Sequence, residues 1–377
     1  MWAALLPSVG SEEVEPALEA VNCVPGVAAT EASRCLGYDS RLLSDRQHLL
    51  QAIDYSLAYL ETPEAVTAYQ NYPLPEITRD RIYNSLIRFR HLAQYSPTPE
   101  ALQRAVTQEF ELYRSVGEDG RGSVAFTGYF EPTYAASREP TDEYRYPLYR
   151  TPSTLDDWRE PHPTRAELEG TDGLQGSQGE LAGLELVWLK DRLEAFLVQV
   201  QGSARLQLTD GSSLSVGYAG RTNYPYTSIG RALVDDGIIA EETLSLPVLI
   251  DYFRQHPEQL DTYLPRNDRF VFFRPTDGAP PMGSLSLPVT AGRSIATDKS
   301  IMPPGALAVI SLDLPQRNVT GEWTSVPTSR FVLDQDTGGA IRGPGRVDIF
   351  VGTGVEAGEQ AGLINTNGEI YYLLLRE

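Results

Sequence analysis

Residues Arg330 to Gly362 read RFVLDQDTGGAIRGPGRVDIFVGTGVEAGEQAG, and two aspartates, Asp336 and Asp348, interrupt this apolar and glycine-rich stretch. The run VDIFVG around Asp348 has the β-branched and aromatic composition of a half-buried strand. A carboxyl group in such a strand is poorly solvated, which favours its protonated form. Asp348 is therefore a candidate acid that donates a proton near neutral pH. The alternative is an aspartate that ends a strand and caps the glycine-rich loop.

Composition narrows the classes of function. The chain has 377 residues, 41% hydrophobic and 22% charged, which suits about two globular domains. A net charge of −20 argues against nucleic-acid partners, because phosphate contacts need clustered Lys and Arg. The four histidines and two cysteines have no metal-ligand spacing, so the sequence predicts neither a metal nor a cofactor.

The beginning of the chain leaves two questions open. The segment MWAALLP is apolar but too short for a complete signal sequence, and we find no segment long and apolar enough to span a membrane. Cys23 and Cys35 are close in sequence. They form a disulfide if the protein is exported and stay free thiols if it is cytosolic.

Residues 44–117 predict three helices. The second begins at Thr78, and the third has Thr98 as N-cap, Pro99 in its first turn and Gly117 as its stop. Apolar residues at helical spacing mark the first and third helices: Leu49, Ile53, Leu57, Leu60, Val106, Phe110 and Tyr113. These helices are expected to pack against a core as scaffold.

After Gly117 the pattern changes to short β-type runs separated by turn residues. The runs are SVAFTGYF, LELVWL, AFLVQV, ARLQL, SLSVGYA, RFVFF, LAVISL, RFVL, VDIFVG and EIYYLLL. The segment TDGSS (Thr209 to Ser213) predicts a hairpin between two of them, and residues 228–255 contain helical patterns. Many short strands joined by turns predict β-barrels or sandwiches.

Five blocks of sequence resemble one known family, and they occur in its order. They are FTGYFEPTYAASREPTDEYRYPLYRTP, VQGSARLQLTDGSSLSVGYAGRTNYPYTSIGRALVDDG, FVFFRP and, with the stretch quoted first, TAGRSIATDKSIMPPGALAVI. Together they resemble the membrane-bound lytic murein transglycosylase A family with its C-terminal 3D domain, named for three aspartates. The resemblance covers roughly Val124 to the C-terminus. Several long blocks in order are far more specific than one short motif.

The resemblance implies a mainly β fold with N-terminal helices. Residues 1–131 and 278–377 are expected to form the helices and a double-psi β-barrel domain that carries the catalytic aspartate. Residues 132–277 are expected to form an inserted, smaller β-barrel domain that binds glycan. A groove between the two would hold the substrate, since ligand sites often form at domain interfaces.

The resemblance also implies a reaction. It is cleavage of the β-1,4 bond between N-acetylmuramic acid and N-acetylglucosamine in peptidoglycan, by a lytic exotransglycosylase that forms 1,6-anhydro-N-acetylmuramyl ends. Asp348 matches the single catalytic acid and base of the family: it would protonate the glycosidic oxygen and then accept the proton of the sugar's C6 hydroxyl. Asp336 matches a second aspartate, whose charge would raise the proton affinity of Asp348.

Further side chains are candidates for the groove. Thr127, Tyr129 and Glu131 alternate along one strand and face one side, with Gly128 between them for close approach of a sugar. The other candidates for substrate binding are Gln201, Ser203, Tyr218, Arg221, Tyr226 and Asp298. Three have plain structural alternatives: a strand end for Glu131, packing for Tyr226 and a turn or cap for Asp298.

Two other functions remain open at this stage. A hydrolase would use Asp348 as acid and Glu131 or Asp336 to activate water. A non-catalytic wall-binding protein would keep the groove without turnover. In every case the expected partners are peptidoglycan strands, and for relatives also wall-synthesis proteins. The family implies a periplasmic location with attachment to the outer membrane.

Overall fold

The computed structural model describes residues 16–21, 37–70 and 72–376. Cys23, Cys35 and the segment MWAALLP lie outside the described residues, so both alternatives for the two cysteines, a disulfide and free thiols, stay open. Of the helices described, none combines the length and the apolar character needed to cross a membrane.

Along the described sequence, four helices precede the second strand, five lie between the fifth and ninth strands, and one lies between the last two strands. The strands are β1 (Leu18–Val21), β2 (Phe110–Ser115), β3 (Val124–Glu131), β4 (Thr133–Ser137), β5 (Tyr146–Tyr149), β6 (Glu185–Leu189), β7 (Ser203–Leu208), β8 (Ser213–Arg221), β9 (Val271–Pro275), β10 (Ser294–Ala296), β11 (Leu307–Arg317), β12 (Trp323–Asp336), β13 (Arg346–Thr353) and β14 (Asn365–Leu375). The helices are α1 (Leu42–Leu60), α2 (Pro63–Gln70), α3 (Arg79–Tyr95), α4 (Pro99–Glu109), α5 (Arg165–Glu169), α6 (Arg192–Gln201), α7 (Ile229–Asp235), α8 (Leu246–Gln255), α9 (Leu260–Tyr263) and α10 (Val355–Leu363).

The first sheet closes into a barrel. Its strands run in the order β14-β11-β12-β10-β13-β3, and β3 pairs with β14 to complete the ring. Two of the pairings, β10 with β12 and β13 with β3, are parallel, while the others are antiparallel. Strands β2 and β1 extend this sheet outward from β14. The predicted double-psi β-barrel is confirmed.

The second sheet is the predicted smaller barrel. Its order is β5-β6-β4-β7-β8-β9, and a parallel bridge between Arg150 and Phe273 joins its two edges. The TDGSS hairpin is confirmed: Leu208 donates to the carbonyl of Ser212 at 2.8 Å, and Gly211 supplies the positive φ of +84° that the turn needs. The chain changes sheets between β3 and β4 and returns between β9 and β10.

The N-terminal helices pack on the barrel. Thr78 caps α3 and Thr98 caps α4, each accepting a backbone N–H, and Pro99 opens α4 as predicted. Phe89 of α3 and Phe331 of β12 are both buried, with ring centroids 4.8 Å apart. Such burial stabilises the fold by about 2 kcal/mol per large apolar side chain.

The predicted end of the third helix is wrong. The described residues between 42 and 109 form four helices, and α4 ends at Glu109 instead of Gly117. Phe110 and Tyr113 lie in β2, which pairs with both β1 and β14. The segment FELYRS is rich in residues that suit a sheet, and pairing with β14 outweighs continuation of the helix.

The predicted strand AFLVQV is also wrong, because these residues belong to α6. Asp191 caps that helix by accepting the backbone N–H groups of Leu193 and Glu194, and Gly202 ends it in the left-handed conformation. Seven of the ten side chains of α6 are buried, including five of the six in AFLVQV, so this apolar run does not reveal a helical period.

Candidate active site

A cavity of about 720 Å³ lies between the barrel and the second sheet, and residues from both line it. Nine predicted site residues line this groove: Tyr129, Gln201, Ser203, Tyr218, Arg221, Tyr226, Asp298, Asp336 and Asp348. Their contacts with a ligand stay predictions. Thr127 and Glu131 are not among the lining residues.

Asp348 is the least satisfied carboxyl group in the groove. It lies on β13 between β10 and β3, where its Cα partners are Ala296 and Thr127. Its side chain is 22% exposed, and its Oδ1 atom is buried without a hydrogen-bond partner among the described residues. A carboxylate there loses hydration without gaining a donor, so the protonated form is favoured.

The pKa of Asp348 is raised to about 6, chiefly by burial. The charge of Asp336 raises it further, and the guanidinium of Arg346, 4.0 Å from Oδ1, opposes the shift. The Nη2 atom of Arg346, which is the one nearest Asp348, donates to Thr127 Oγ1 at 3.1 Å. Thr127 therefore contacts the arginine beside Asp348 without lining the cavity.

Asp336 is a fixed carboxylate. The Tyr129 hydroxyl donates to its Oδ2 at 2.7 Å, and the backbone N–H groups of Ser284 and Thr337 donate to its Oδ1, each at 2.8 Å. Burial raises the pKa of Asp336 above its ordinary value, although these three hydrogen bonds act in the opposite direction. Tyr129 in turn packs on Phe350 at 5.2 Å, so the pair is held rigidly below the groove.

Asp298, in contrast, ties a loop together. Its Oδ1 accepts from the Ser300 hydroxyl at 2.6 Å, and its Oδ2 accepts from the Gly343 N–H at 2.9 Å. Burial disfavours its ionised form, but these hydrogen bonds prevail and hold the pKa of Asp298 below its ordinary value. Asp298 is therefore an ionised anchor between two cavity loops, which matches its structural alternative.

Glu131 is turned away from the groove. Its carboxylate is 1% exposed and accepts from Arg205 Nε at 2.8 Å and from Thr353 Oγ1 at 2.7 Å. The side chains of Tyr129 and Glu131 therefore do not share the cavity, although they alternate along β3. The chain leaves the barrel directly after Glu131, and this pair fastens the crossing between the two sheets.

The expectation for Gly128 is also corrected. A Cβ atom on Gly128 would lie 2.8 Å from the Cα atom of Ala361 in α10. The glycine lets that helix approach β3 closely, which explains its place in the strand without a sugar ligand.

Sequence reasoning missed Asp334, the most buried acid of this region. It is 0% exposed, pairs with Lys299, and accepts hydrogen bonds from the hydroxyls of Thr297 and Tyr372. Burial raises its pKa, and the Lys299 ammonium counters the effect. The sequence contained a signal for this pair. A carboxylate in the apolar run RFVLD needs a cation once it is buried, and the chain has two lysines that could supply one.

The wall formed by the second sheet is basic and aromatic. Tyr218 is 48% exposed over the cavity, and Gln201 accepts the Phe130 N–H at 3.1 Å. Burial raises the pKa of Tyr226, so its phenol stays protonated and can donate. Arg269, which sequence reasoning also missed, lines the cavity while 8% exposed.

The fold and the site define a class of protein in which a barrel with an inserted second sheet holds a protonatable carboxyl group in the groove between them. Residues 125–274 match the MltA specific insert domain, and residues 293–374 match the 3D domain. The chain belongs to the membrane-bound lytic murein transglycosylase A family.

Individual relatives agree with that assignment. The chain is 34% identical over 261 residues to membrane-bound lytic murein transglycosylase A of Vibrio cholerae, covering 68% of this chain and 67% of the relative. The corresponding Escherichia coli K12 protein is 33% identical over 266 residues, covering 70% and 69%.

Solved structures give the same result. The membrane-bound lytic murein transglycosylase of Agrobacterium tumefaciens superposes with a TM-score of 0.71 at 27% identity, covering 90% of this chain and 95% of that one. Escherichia coli MltA with bound chitohexaose also has a TM-score of 0.71, at 25% identity, with coverages of 96% and 95%.

Proposed function

We propose that Asp348 is the single acid and base with which this protein cleaves peptidoglycan. As a member of the family, the chain is a peptidoglycan lytic transglycosylase, a lyase-type enzyme. The observation that supports the role of Asp348 is a carboxyl group that lines the groove, has one buried oxygen without a donor among the described residues, and has its pKa raised to about 6. Such a group can hold a proton and release it to substrate.

The reaction needs two proton transfers through one carboxyl group. The Asp348 carboxyl group donates its proton to the glycosidic oxygen, and the bond between that oxygen and C1 breaks. The resulting carboxylate then accepts the proton of the C6 hydroxyl as O6 attacks C1. The products are a chain with a new free hydroxyl and a 1,6-anhydro-N-acetylmuramyl end, and Asp348 is again protonated. No water is consumed.

The surroundings of Asp348 favour this reaction over hydrolysis. A hydrolase needs a second carboxylate that is free to activate water. Both oxygens of Asp336 already accept hydrogen bonds, and Glu131 lies outside the cavity in its pair with Arg205. We assign Asp336 an electrostatic role, in which its charge keeps the proton on Asp348.

We also propose a division of labour between two domains. Residues 1–131 and 278–377 would form the domain that carries the acid, and residues 132–277 would bind glycan. Support comes from the cavity lining, in which the carboxylates come from the barrel side. The side chains proposed to contact sugar from the second sheet are Gln201, Ser203, Tyr218, Arg221 and Tyr226.

Ligand and location follow from the relatives. Escherichia coli MltA was crystallised with chitohexaose, a chain of N-acetylglucosamine, and we propose glycan strands of peptidoglycan as the ligand here. The relatives are named membrane-bound, which is consistent with association with the cell envelope. We propose a periplasmic location at the outer membrane, with wall-synthesis proteins as further partners.

Mass spectrometry of the products from purified peptidoglycan sacculi tests the reaction. Muropeptides lighter by one water than the hydrolysis product, and without a reducible end, are expected. Ordinary reducing ends would show that the enzyme is a hydrolase and would overturn the single-acid mechanism. Retained binding without any product would point to a wall-binding protein.

A further inference from the structure

The groove contains arginines that lack acidic partners. Arg221 donates from Nη1 to the carbonyls of Thr222 and Tyr224, and Arg269 donates from Nε to the carbonyl of Tyr224 at 2.8 Å. In the part of the chain that the structure describes, neither forms an ion pair with a carboxylate. This is unusual in a protein with 51 acidic and 31 basic residues, where a carboxylate is readily available.

Arg269 is the central member of this group. Its side chain is more than nine-tenths buried, at 8% exposed, yet it lines the cavity. A Cβ atom placed on Gly339 would lie 1.7 Å from Arg269 Nη1, so the guanidinium rests against the barrel loop on the opposite side of the groove. Within the described residues, the two Nη groups donate no hydrogen bond and remain available at the cavity.

Arg342 brings a third positive charge to the same place. Its Nη1 atom is 3.8 Å from Asp298 Oδ1, and its side chain is 67% exposed. Burial, and then repulsion from Arg221 and Arg342, lower the pKa of Arg269 to about 10. Asp298 compensates Arg342 in part, whereas Arg221 and Arg269 have no carboxylate partner among the described residues, and an anion bound beside them would relieve the repulsion.

We propose that Arg221, Arg269 and Arg342 form a carboxylate-binding subsite in the same cavity as the catalytic acid. This inference rests on the proposed function in taking peptidoglycan as the ligand. The sugars themselves are neutral, so the anions of this polymer are the lactyl carboxylate of muramic acid, where the peptide is absent, and the carboxylates of the peptide stem. A planar guanidinium matches a carboxylate with two parallel hydrogen bonds.

The test measures binding without turnover. The Asp348→Asn protein is titrated by calorimetry with three ligands: chitohexaose, which has no carboxylate, glycan fragments stripped of stems, and the same fragments with stems. Each titration is repeated with Arg269→Gln and Arg342→Gln. The matched control is Arg138→Gln, since Arg138 is an exposed arginine of the second sheet that pairs with Asp210 and does not line the cavity.

We expect Arg269→Gln and Arg342→Gln to weaken binding of a carboxylate-bearing fragment about tenfold, with a much smaller change for chitohexaose and none in the control. A loss confined to stem-free fragments identifies the lactyl carboxylate, and a loss confined to stem-bearing fragments identifies the stem. Equal losses for neutral and charged ligands, or no loss at all, would overturn the subsite.

Thermal melting and the salt dependence of binding complete the test. If Arg269→Gln does not fold, as thermal melting would show, Arg342→Gln decides, because that exposed side chain can change without disturbing the core. Failure of all three ligands to bind would overturn the proposed function together with the subsite.

Salt dependence gives a second expected result. The wild-type protein should bind charged fragments more tightly than neutral ones, and this preference should disappear at high salt.

Discussion

The two walls of the groove differ in charge and in how well their charged groups are satisfied. The barrel wall carries Asp298, Asp336 and Asp348, two of which accept hydrogen bonds at both oxygens. The wall of the second sheet carries Arg221 and Arg269, which donate to backbone carbonyls and pair with no carboxylate among the described residues. Each wall therefore leaves one kind of group unsatisfied: an acid on the barrel, cations opposite it.

This difference separates chemistry from recognition. The donor-free oxygen of Asp348 costs stability and makes the acid reactive, whereas the arginines opposite can attract and orient an anionic ligand without exchanging protons near neutral pH. Substitutions at Asp348 and Asp336 should change the rate of cleavage, and those at Arg221 and Arg269 should change affinity.

The largest expected effect is loss of turnover in Asp348→Asn. The amide cannot donate a proton to the glycosidic oxygen, and we expect the release of anhydro-muropeptides to fall about 1,000-fold. Liquid chromatography of digested sacculi measures it. The sharpest control is the same substitution at Asp298, which also lines the cavity but serves as a loop anchor. Equal losses in the two variants would remove the distinction between catalytic and anchoring aspartates.

The pH dependence of cleavage is expected next. Because Asp348 must carry a proton in the free enzyme and its pKa is about 6, kcat/KM should fall about tenfold per pH unit above that value. Asp336→Asn removes a negative charge that raises this pKa, so the midpoint should move to lower pH. A midpoint unchanged by that substitution would mean that the two carboxyl groups do not interact.

A smaller effect concerns stability. The pKa of Asp348 is higher in the folded protein than in the unfolded chain, so the folded state binds more protons between about pH 4 and 6, and stability falls as pH rises through that window. Asp348→Asn should therefore raise the free energy of unfolding by about 2 kcal/mol at pH 8. Urea denaturation at pH 8 and pH 3 measures it, and the gain should vanish at pH 3, where the carboxyl group is protonated in both states.

The smallest expected effect is that of Glu131→Gln. It weakens the pair with Arg205 but keeps an acceptor for Thr353, so the free energy of unfolding should fall by about 1 kcal/mol. The products should remain anhydro ends, as mass spectrometry would show. If the variant folds normally yet releases no product, Glu131 takes part in catalysis and the structural role is wrong.

Much of this molecule could be predicted from local sequence. The caps at Thr78 and Thr98, the TDGSS hairpin and the strand around Asp348 depend on neighbouring residues alone, and the structure contains all of them. Residues 110–115 and α6 could not be predicted in this way. The first is decided by pairing with β14, far along the chain, and the second contains a mostly buried apolar run that hides its helical period.

The site shows the same limit. Alternation along β3 correctly predicts the groove position of Tyr129 but not that of Glu131, because the strand ends there and the chain passes to the other sheet. Arg269 escaped notice because only tertiary contacts bring it to the barrel loop at Gly339. Glu131 is excluded by the crossing between the sheets, whereas Arg269 reaches the cavity through its contact with the barrel loop at Gly339.

The ring closure between β3 and β14 also sets an order in time. Asp348 needs β3 and β10 as neighbours, and the barrel that holds all three stays open until the strand Asn365–Leu375 has been made. During synthesis, every residue up to Leu375 must therefore leave the ribosome before the acid has its surroundings. Copies whose synthesis stops before this strand therefore lack the surroundings that favour a proton on Asp348, and we expect them not to cut the cell wall.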